Sequence, residues 1–356
     1  MRKFDITLLR ALHWVGQPVL RAGGFEWEHR RTGDLKIGYW KKTFSKSGRK
    51  SRSTRRKRRF VLIPGLGDTP LSWWPVIQLL TPALKREFDE IVLVDLPGFQ
   101  GFLRDEKAFH TMDLMLVATH DLLDQLAPHT VFGHSLGGWL AASYAGECGK
   151  GTRPRAASGK YAGPERTIIA SPSGVVESDE KLKHWKGHFD RARAIGFDAY
   201  RKLLFRQEPR WFRYIVGDFQ KFFRKQEVLD FIESVRSDHF VTPLLPDVKS
   251  DFWLLWGEQD ELVPAAWAED WLAELRKGRR TDGDGADEAD GAEPSLRLAA
   301  AITLKNVGHS PHLESPFVTA LVLARILGSK LKRGEARRRS GLLGELQERL
   351  WEISWE

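Results

Sequence analysis

Three residue types that together can perform nucleophilic catalysis follow one another along this chain. The first is Ser135, within Gly133-His134-Ser135-Leu136-Gly137, where a short apolar run gives way to a helical pattern. The pattern Gly-x-Ser-x-Gly is typical of a tight strand-to-helix turn that exposes a serine hydroxyl. Glycine has no side chain, so Gly133 and Gly137 allow the strand and the helix to approach closely. The segment predicts a serine nucleophile.

A serine hydroxyl needs a base to accept its proton and a carboxylate to orient that base. Two later segments, an apolar strand from Phe252 and a second strand from Leu304, are each followed by a candidate partner. Asp260 follows the first strand and His309 follows the second. The order serine, aspartate, histidine differs from the two other common orders of serine triads and favours one fold class.

Alternatives exist for both partners. Glu258 and Glu261 flank Asp260 and could supply the carboxylate, while Asp260 could instead cap the following helix. His312 competes with His309, but His309 follows a flexible glycine at the strand end, which suits a side chain that must reach Ser135. His134 precedes the nucleophile on a strand, so its side chain should point the other way. We therefore interpret His134 as structural.

The elements needed to position these residues are strands that alternate with helices. Apolar runs predict strands at Phe60–Ile63, Ile91–Asp95, Val131–Phe132 and Arg166–Pro172, and a hairpin at Glu26–Arg31 and Leu35–Phe44. Helical patterns separate most of the runs, as at residues 111–126 and 136–147. This alternation predicts an α/β fold with a mostly parallel central sheet flanked by helices.

Five motifs in this order resemble those of the α/β-hydrolase fold, over most of residues 25–330. They are Pro64-Gly65-Leu66-Gly67, Asp95-Leu96-Pro97-Gly98-Phe99, Gly133-His134-Ser135-Leu136-Gly137-Gly138, Trp256-Gly257-Glu258-Gln259-Asp260 with Val263-Pro264, and Gly308-His309 with Glu314-Ser315-Pro316. The resemblance implies that Ser135 is the nucleophile, Asp260 the acid and His309 the base. It also implies an oxyanion hole formed by the backbone N–H groups of Leu66 and Leu136. Related families often carry histidine where Pro64 stands, which affects side-chain bonding in that loop but not a main-chain donor.

The segment 174–247 departs from the alternation and has aromatic residues at helical spacing. In proteins that this chain resembles, a helical cap is inserted at this position, over the active site. We interpret most of the aromatic residues as the core of that cap and expect some to face the serine. The expected organisation is an amphipathic helix at 1–24, a hydrolase core at 25–173 and 248–330, the cap at 174–247, and a basic hinge with an amphipathic helix at 331–356.

Charge is concentrated in three segments. The net charge of +9 comes from basic runs at 49–59 and 330–339, partly offset by six acids in 282–293, and the rest of the chain is nearly neutral. The basic runs could contact an anionic membrane surface, although a solvated loop is the simpler interpretation of residues 45–59. Nucleic acid is a weaker candidate, because no recognition motif accompanies the runs.

These observations predict a serine hydrolase of a small-molecule carboxylic ester with an apolar acyl group. Hydrolysis of a C–C bond, amide, lactone or lysophospholipid uses the same residues and stays open, as does a non-catalytic or membrane-peripheral role. No cofactor and no metal are predicted, since no cluster has metal-ligand spacing. The single cysteine, Cys148, fits a reducing compartment, and with a low expectation of a signal peptide it favours a cytoplasmic location.

Overall fold

The computed structural model describes residues 16–32, 35–44, 56–96, 111–153, 163–175, 179–195, 197–281, 299–328 and 350–355. Within them, nine strands form one sheet in the order β1-β2-β4-β3-β5-β6-β7-β8-β9. The strands are β1 Glu26–Thr32, β2 Leu35–Thr43, β3 Arg59–Ile63, β4 Glu90–Asp95, β5 Thr130–His134, β6 Arg166–Ala170, β7 Asp251–Gly257, β8 Ala299–Leu304 and β9 Trp351–Trp355.

The centre of the sheet is parallel and its edges are antiparallel. Strands β4, β3, β5, β6, β7 and β8 pair in parallel in that spatial order. The predicted hairpin β1–β2 is confirmed and joins β4 in the antiparallel direction. Central strands such as β4 and β5 are buried along their whole length, because helices cover both faces of a parallel sheet.

Helices pack on the two faces of this sheet. They are α1 (residues 16–22), α2 Trp74–Glu87, α3 Met112–Leu126, α4 Leu136–Lys150, α5 Asp179–Ile195, α6 Phe197–Leu204, α7 Val216–Phe222, α8 Gln226–Ser234, α9 Trp267–Thr281, α10 Pro311–Glu314 and α11 Pro316–Gly328. Alternate residues of a strand point to opposite faces, so Val61 of β3 joins the core with α3, α4 and α9. Leu62 joins the core with α1, α2 and α11 on the other face.

Short helices joined by turns make up most of the described chain between β6 and β7. Helices α5 to α8 and three short 3₁₀ turns, Phe212–Tyr214, Ser237–His239 and Thr242–Asp247, occupy it. We call residues 179–247 the helical insert. Its buried aromatic side chains, among them Phe189, Tyr200 and Phe223, join the core on the face of α4.

The C-terminal segment differs from its prediction where it is described. Residues 351–355 form the edge strand β9, antiparallel to β8, so the predicted amphipathic helix is wrong there. The sequence Trp-Glu-Ile-Ser-Trp alternates apolar and polar residues, which is a strand period, and Ile353 pairs with Ile302. The free edge of β8 takes up this segment.

Several predictions fall on residues outside the described part of the chain. These are positions 1–15 of the N-terminal helix, most of the basic run 49–59, the whole of the run 330–339 and the acidic segment 282–293. Among the helices that the structure describes, none has the length and apolar character needed to cross a membrane.

Candidate active site

Ser135 lies in the turn between β5 and α4, as the Gly-x-Ser-x-Gly pattern predicts. Its backbone has φ 52° and ψ −116°, a conformation that residues other than glycine rarely adopt. The Ser135 N–H donates to the carbonyl oxygen of Ala170 at 2.9 Å, and its own carbonyl accepts from Trp139 at 3.1 Å. Such strain persists only where the surroundings enforce it, and it often marks functional sites.

Close backbone packing explains the glycines on either side of Ser135. A Cβ on Gly133 would lie 2.1 Å from the carbonyl oxygen of Gly137, and one on Gly137 would lie 2.2 Å from the carbonyl oxygen of Ile63. These distances are far inside van der Waals contact, and the obstructing atoms belong to the backbone. The turn therefore requires glycine at both positions.

His309 joins Ser135 to Asp260 through hydrogen bonds on its two ring nitrogens. Nδ1 lies 2.8 Å from Asp260 Oδ2, and Nε2 lies 3.0 Å from the Ser135 hydroxyl oxygen. An ionised carboxylate can only accept, so Nδ1 donates to Asp260 and leaves Nε2 of the neutral ring as an acceptor for the serine proton. The side chains of His309 and Asp260 are 3% and 0% exposed, which shields the bond between them from water.

Asp260 is fixed by the turn that follows β7. Its Oδ1 accepts hydrogen bonds from the backbone N–H groups of Leu262 and Val263, at 3.0 and 2.9 Å, while Oδ2 is left for His309. Tyr200 of the helical insert lies near Asp260. Burial first, and then the Asp260 carboxylate, raises the pKa of the Tyr200 phenol. The same carboxylate thus caps the turn and orients His309.

The alternative carboxylates stand elsewhere. Glu258 is exposed and accepts from the backbone N–H of Asn306 at 3.1 Å, and Glu261 is exposed as well. Of the three candidates, Asp260 is the one that contacts His309.

His134 lies closer to the site than its position on a strand suggests. Its Nε2 donates to the backbone carbonyl of His309 at 2.9 Å, and its ring lines the same pocket as Ser135. Burial, with smaller contributions from His312 and His309, holds the pKa of His134 well below its usual range. A neutral His134 therefore supports the loop that carries His309. This contact joins residues 175 positions apart, so local sequence gives no signal for it.

His312 does not reach Ser135 in place of His309. It is buried in α10, where its ring stacks on Trp73 at 4.1 Å with an interplanar angle of 8°. Its Nε2 lies 3.3 Å from Asp68 Oδ2, in the loop after β3. Burial acts to raise the pKa of Asp68, but the contacts with His312 outweigh it and hold that pKa below its usual value. His312 thus braces the loop that carries Leu66.

Asp68, His134 and His312 form a cluster that no spacing in the sequence indicated. Each offers one potential ligand atom, and these atoms lie within 4.8 Å of one another. Asp68 already accepts from the Trp73 indole N–H at 3.0 Å and from the Thr69 N–H at 2.8 Å, besides its ion pair with His312. These contacts account for the buried carboxylate without a metal ion, so we interpret the cluster as a support for the loop after β3.

Leu66 and Leu136 both line the pocket that contains Ser135. Leu136 is the first residue of α4, where an N–H has no partner within the helix. Within the described part of the chain, neither the Leu66 N–H nor the Leu136 N–H donates a hydrogen bond. Two unsatisfied donors beside a serine are the arrangement that an oxyanion hole requires.

The pocket above Ser135 is apolar and has a cavity volume of about 70 Å³. The α/β core contributes Ser135, His309 and the two leucines just described, and the helical insert contributes mainly aromatic rings. Those insert residues are Trp185, Phe189, Tyr200, Leu204, Phe205, Phe212, Phe219, Phe223 and Phe231. Most of these side chains also belong to the buried core, so core packing and pocket lining fall on the same residues.

Known protein families and solved structures resemble this chain in sequence pattern and fold. A sequence model described as the alpha/beta hydrolase family matches residues 60–320. The structure resembles that of a membrane phospholipase A described as a bacterial virulence factor, with 19% identity, a TM-score of 0.61 and 90% of each chain covered. It also resembles a thermophilic esterase from Thermogutta terrifontis, with 17% identity, a TM-score of 0.54, and 85% of this chain and 98% of the esterase covered.

A third similar structure is 2-hydroxy-6-oxo-6-phenylhexa-2,4-dienoate hydrolase from Rhodococcus, with 16% identity and a TM-score of 0.55. That comparison covers 84% of this chain and 97% of the hydrolase. No curated protein sequence matches the chain. At these identities the structural similarity establishes the fold alone.

Proposed function

The chain belongs to the alpha/beta hydrolase family, and we propose that it hydrolyses carboxylic esters with an apolar acyl group through an acyl-enzyme on Ser135. The observation that carries the proposal is the continuous hydrogen-bonded chain from Ser135 through His309 to Asp260 at the floor of an apolar pocket. Nucleophile, base and orienting acid are all within hydrogen-bond distance, as acyl transfer by serine requires.

The proton moves along this chain in two stages. Nε2 of His309 takes the Ser135 proton as Oγ attacks the ester carbonyl, and the imidazolium then gives that proton to the departing alcohol. In the second stage Nε2 takes a proton from the water that attacks the acyl-enzyme. The bond from the acyl carbon to Ser135 Oγ then breaks, Oγ takes the proton back from Nε2, and the acid is released. Asp260 holds the tautomer with Nδ1–H and stabilises the imidazolium in both stages.

The negative charge on the carbonyl oxygen is stabilised by the N–H groups of Leu66 and Leu136. Both belong to rigid backbone, one at the start of α4 and one in the loop braced by Asp68 and His312. Each such donor typically contributes about 2.7–4 kcal/mol to lowering the barrier.

The lining of the pocket supports an apolar acyl group as the substrate portion bound there. Aromatic rings from the helical insert surround the space above Ser135, and pockets with such an apolar lining bind apolar ligands. In this proposal the helical insert acts as a cap that excludes water from the acyl-enzyme.

Labelling with a fluorophosphonate probe tests the nucleophile. We expect one adduct on Ser135, located by mass spectrometry, and no adduct in Ser135→Ala. Ser143→Ala is the matched control, since Ser143 is a buried serine of α4 that does not line the pocket, and it should label normally. If wild type is not labelled while a control hydrolase is, or if Ser135→Ala keeps full ester hydrolysis, the proposal is wrong.

A further inference from the structure

One ten-residue stretch of the helical insert has a pocket side and a solvent side. In residues 205–214, Phe205 and Phe212 are buried and line the Ser135 pocket, with their ring centroids 4.7 Å apart. Between and after them, six side chains are exposed to solvent. They are Arg206, Gln207, Arg210, Trp211, Arg213 and Tyr214. In residues 205–214, one segment of the chain thus has side chains that line the pocket and side chains that face solvent.

Two aromatic side chains on this stretch are exposed to solvent. Trp211 is 46% exposed and Tyr214 is 62% exposed. Arg213 lies over the Tyr214 ring at 4.8 Å and donates to its hydroxyl at 2.8 Å, so the ring is held against a cation on the outer surface. Tryptophan and tyrosine combine an apolar body with a polar tip and are enriched at the boundary between lipid and water.

The sequence segment that carries these rings is strongly basic. Residues 201–225 contain eight basic and two acidic residues. Seven of the basic side chains are exposed: Lys202, Arg206, Arg210, Arg213, Lys221, Arg224 and Lys225. One of the two acids, Glu208, is engaged by Arg201 at 3.1 Å. An outer surface with this charge complements anionic phospholipid headgroups.

The described end of the basic run at 49–59 forms ion pairs within the protein. Lys57 and Arg59 each contact Glu90 at 2.6 Å, and Arg58 lies 3.8 Å from Glu87. These side chains fix the start of β3. The cations next to the pocket are therefore better placed for a partner than the described end of the run at 49–59.

We propose that the exposed residues Arg206, Arg210, Trp211, Arg213 and Tyr214, which we call the outer surface of the insert, dock on an anionic phospholipid bilayer. The arginines contact headgroups and the two rings enter the interface, which brings the Ser135 pocket next to acyl esters in the lipid. Delivery of esters to Ser135 rests on the proposed function, whereas docking does not.

Co-sedimentation with vesicles tests docking independently of catalysis. The Ser135→Ala protein is mixed with vesicles of phosphatidylcholine alone or of phosphatidylcholine with phosphatidylglycerol, at low and high salt. We expect binding to the anionic vesicles at low salt and weaker binding at high salt, because salt screens exposed charges. Failure to bind the anionic vesicles at low salt would overturn the proposal.

Two pairs of variants locate the surface. Arg206→Gln, Arg210→Gln and Arg213→Gln together should weaken vesicle binding on the order of 100-fold, about fivefold for each residue near an anionic surface. The matched control removes three exposed lysines at the amino ends of the parallel strands, Lys85→Gln, Lys150→Gln and Lys249→Gln. Equal losses in the two triple variants would show general charge attraction and overturn this location.

The second pair tests the rings. Trp211→Ala with Tyr214→Ala should weaken binding at high salt more than Leu79→Ala with Val117→Ala, which removes exposed apolar residues of α2 and α3. Equal effects would contradict insertion of the rings.

Hydrolysis of a soluble short-chain ester separates docking from catalysis. The arginine variants with Ser135 intact should keep this activity while losing hydrolysis of esters in anionic vesicles. Vesicle binding without any ester hydrolysis would contradict the proposed function but not the docking proposal. Hydrolysis of soluble esters without vesicle binding would do the reverse.

Discussion

Glycine has opposite roles in two regions of the molecule. One region is the turn that holds Ser135, and the other is the helical insert. In the turn, a Cβ on Gly133 or Gly137 would lie 2.1–2.2 Å from backbone oxygen atoms. In the insert, Gly187 of α5 and Gly217 of α7 have open space where a Cβ would be, with no atom within 4 Å. The turn is held by backbone against backbone, whereas the insert is held by rings against rings.

This difference indicates which positions tolerate substitution and which do not. Backbone packing admits no substitute for glycine, so the position of the Ser135 hydroxyl is set within narrow limits. Ring packing can be rearranged by exchanging one apolar side chain for another of similar size. Reaction chemistry should therefore fail abruptly when the core is altered, and substrate preference should change gradually when the insert is altered.

The largest effect is expected from Asp260→Asn. An asparagine can present an N–H to Nδ1 and favour the wrong tautomer of His309, so Nε2 would no longer accept the serine proton. We expect kcat to fall about 10⁴-fold, as loss of this acid does in a serine triad. Ester hydrolysis by the purified variant measures the loss. Glu261→Gln is the matched control, and an equal loss there would reassign the acid.

Gly137→Ala sharpens the contrast through stability. The new methyl group would lie 2.2 Å from the carbonyl oxygen of Ile63, so strand and helix must separate, and we expect a loss of about 4 kcal/mol or failure to fold. Gly217→Ala should raise stability by roughly 0.5–1 kcal/mol, because alanine favours helix at an open position. Urea unfolding of both proteins checks the pair. A similar cost for the two would break the comparison.

The same contrast explains what the sequence could predict. Ser135, Asp260 and His309 each follow an apolar run at a strand end, and the steric need for Gly133 and Gly137 leaves a readable pattern. The mostly parallel sheet follows from apolar runs separated by helices, although the last of these strands, β8, ends at Leu304 where the predicted strand begins. These features depend on backbone geometry, which local sequence expresses directly.

Other features depend on which side chains meet in space. The contact of His134 with the His309 backbone, and the cluster of Asp68 with His312, join distant parts of the chain. The orientation of Phe212 and its neighbours toward the pocket depends on how short helices pack, which helical spacing alone does not determine. Strand β9 was missed because leucines upstream of Trp351 suggested that a helical pattern continued.

Phe212→Leu probes the variable side of the contrast. Phe212 is buried against Phe205 and Phe219 and lines the pocket, so we expect a stability loss of about 1 kcal/mol. Across esters of graded acyl length, KM should change more than kcat. Phe88→Leu, in a core away from the pocket, should lose similar stability with the ester profile unchanged. Equal profiles in all three proteins would show that the insert does not select the acyl group.

The last prediction concerns how stability depends on pH. Burial holds the pKa of His134 well below its usual range. Between that lowered value and the unfolded value of about 6.5, the unfolded chain binds a proton that the folded protein does not. Folding stability should therefore decrease as the pH falls below about 6.5, with His134 contributing up to about 1.4 kcal/mol per pH unit.

His134→Gln removes this contribution, and its amide N–H can still donate to the carbonyl of His309. The free energy of unfolding, measured from pH 7 to pH 5, should then fall less steeply than in the wild type, even if its absolute value is lower. Phe88→Leu serves as a destabilised reference that keeps every histidine. Parallel curves for wild type and His134→Gln would show that His134 takes up its proton in the folded protein. The loop that carries His309 would then have to tolerate a buried charge. A neutral His134 would no longer explain how that loop is held in place.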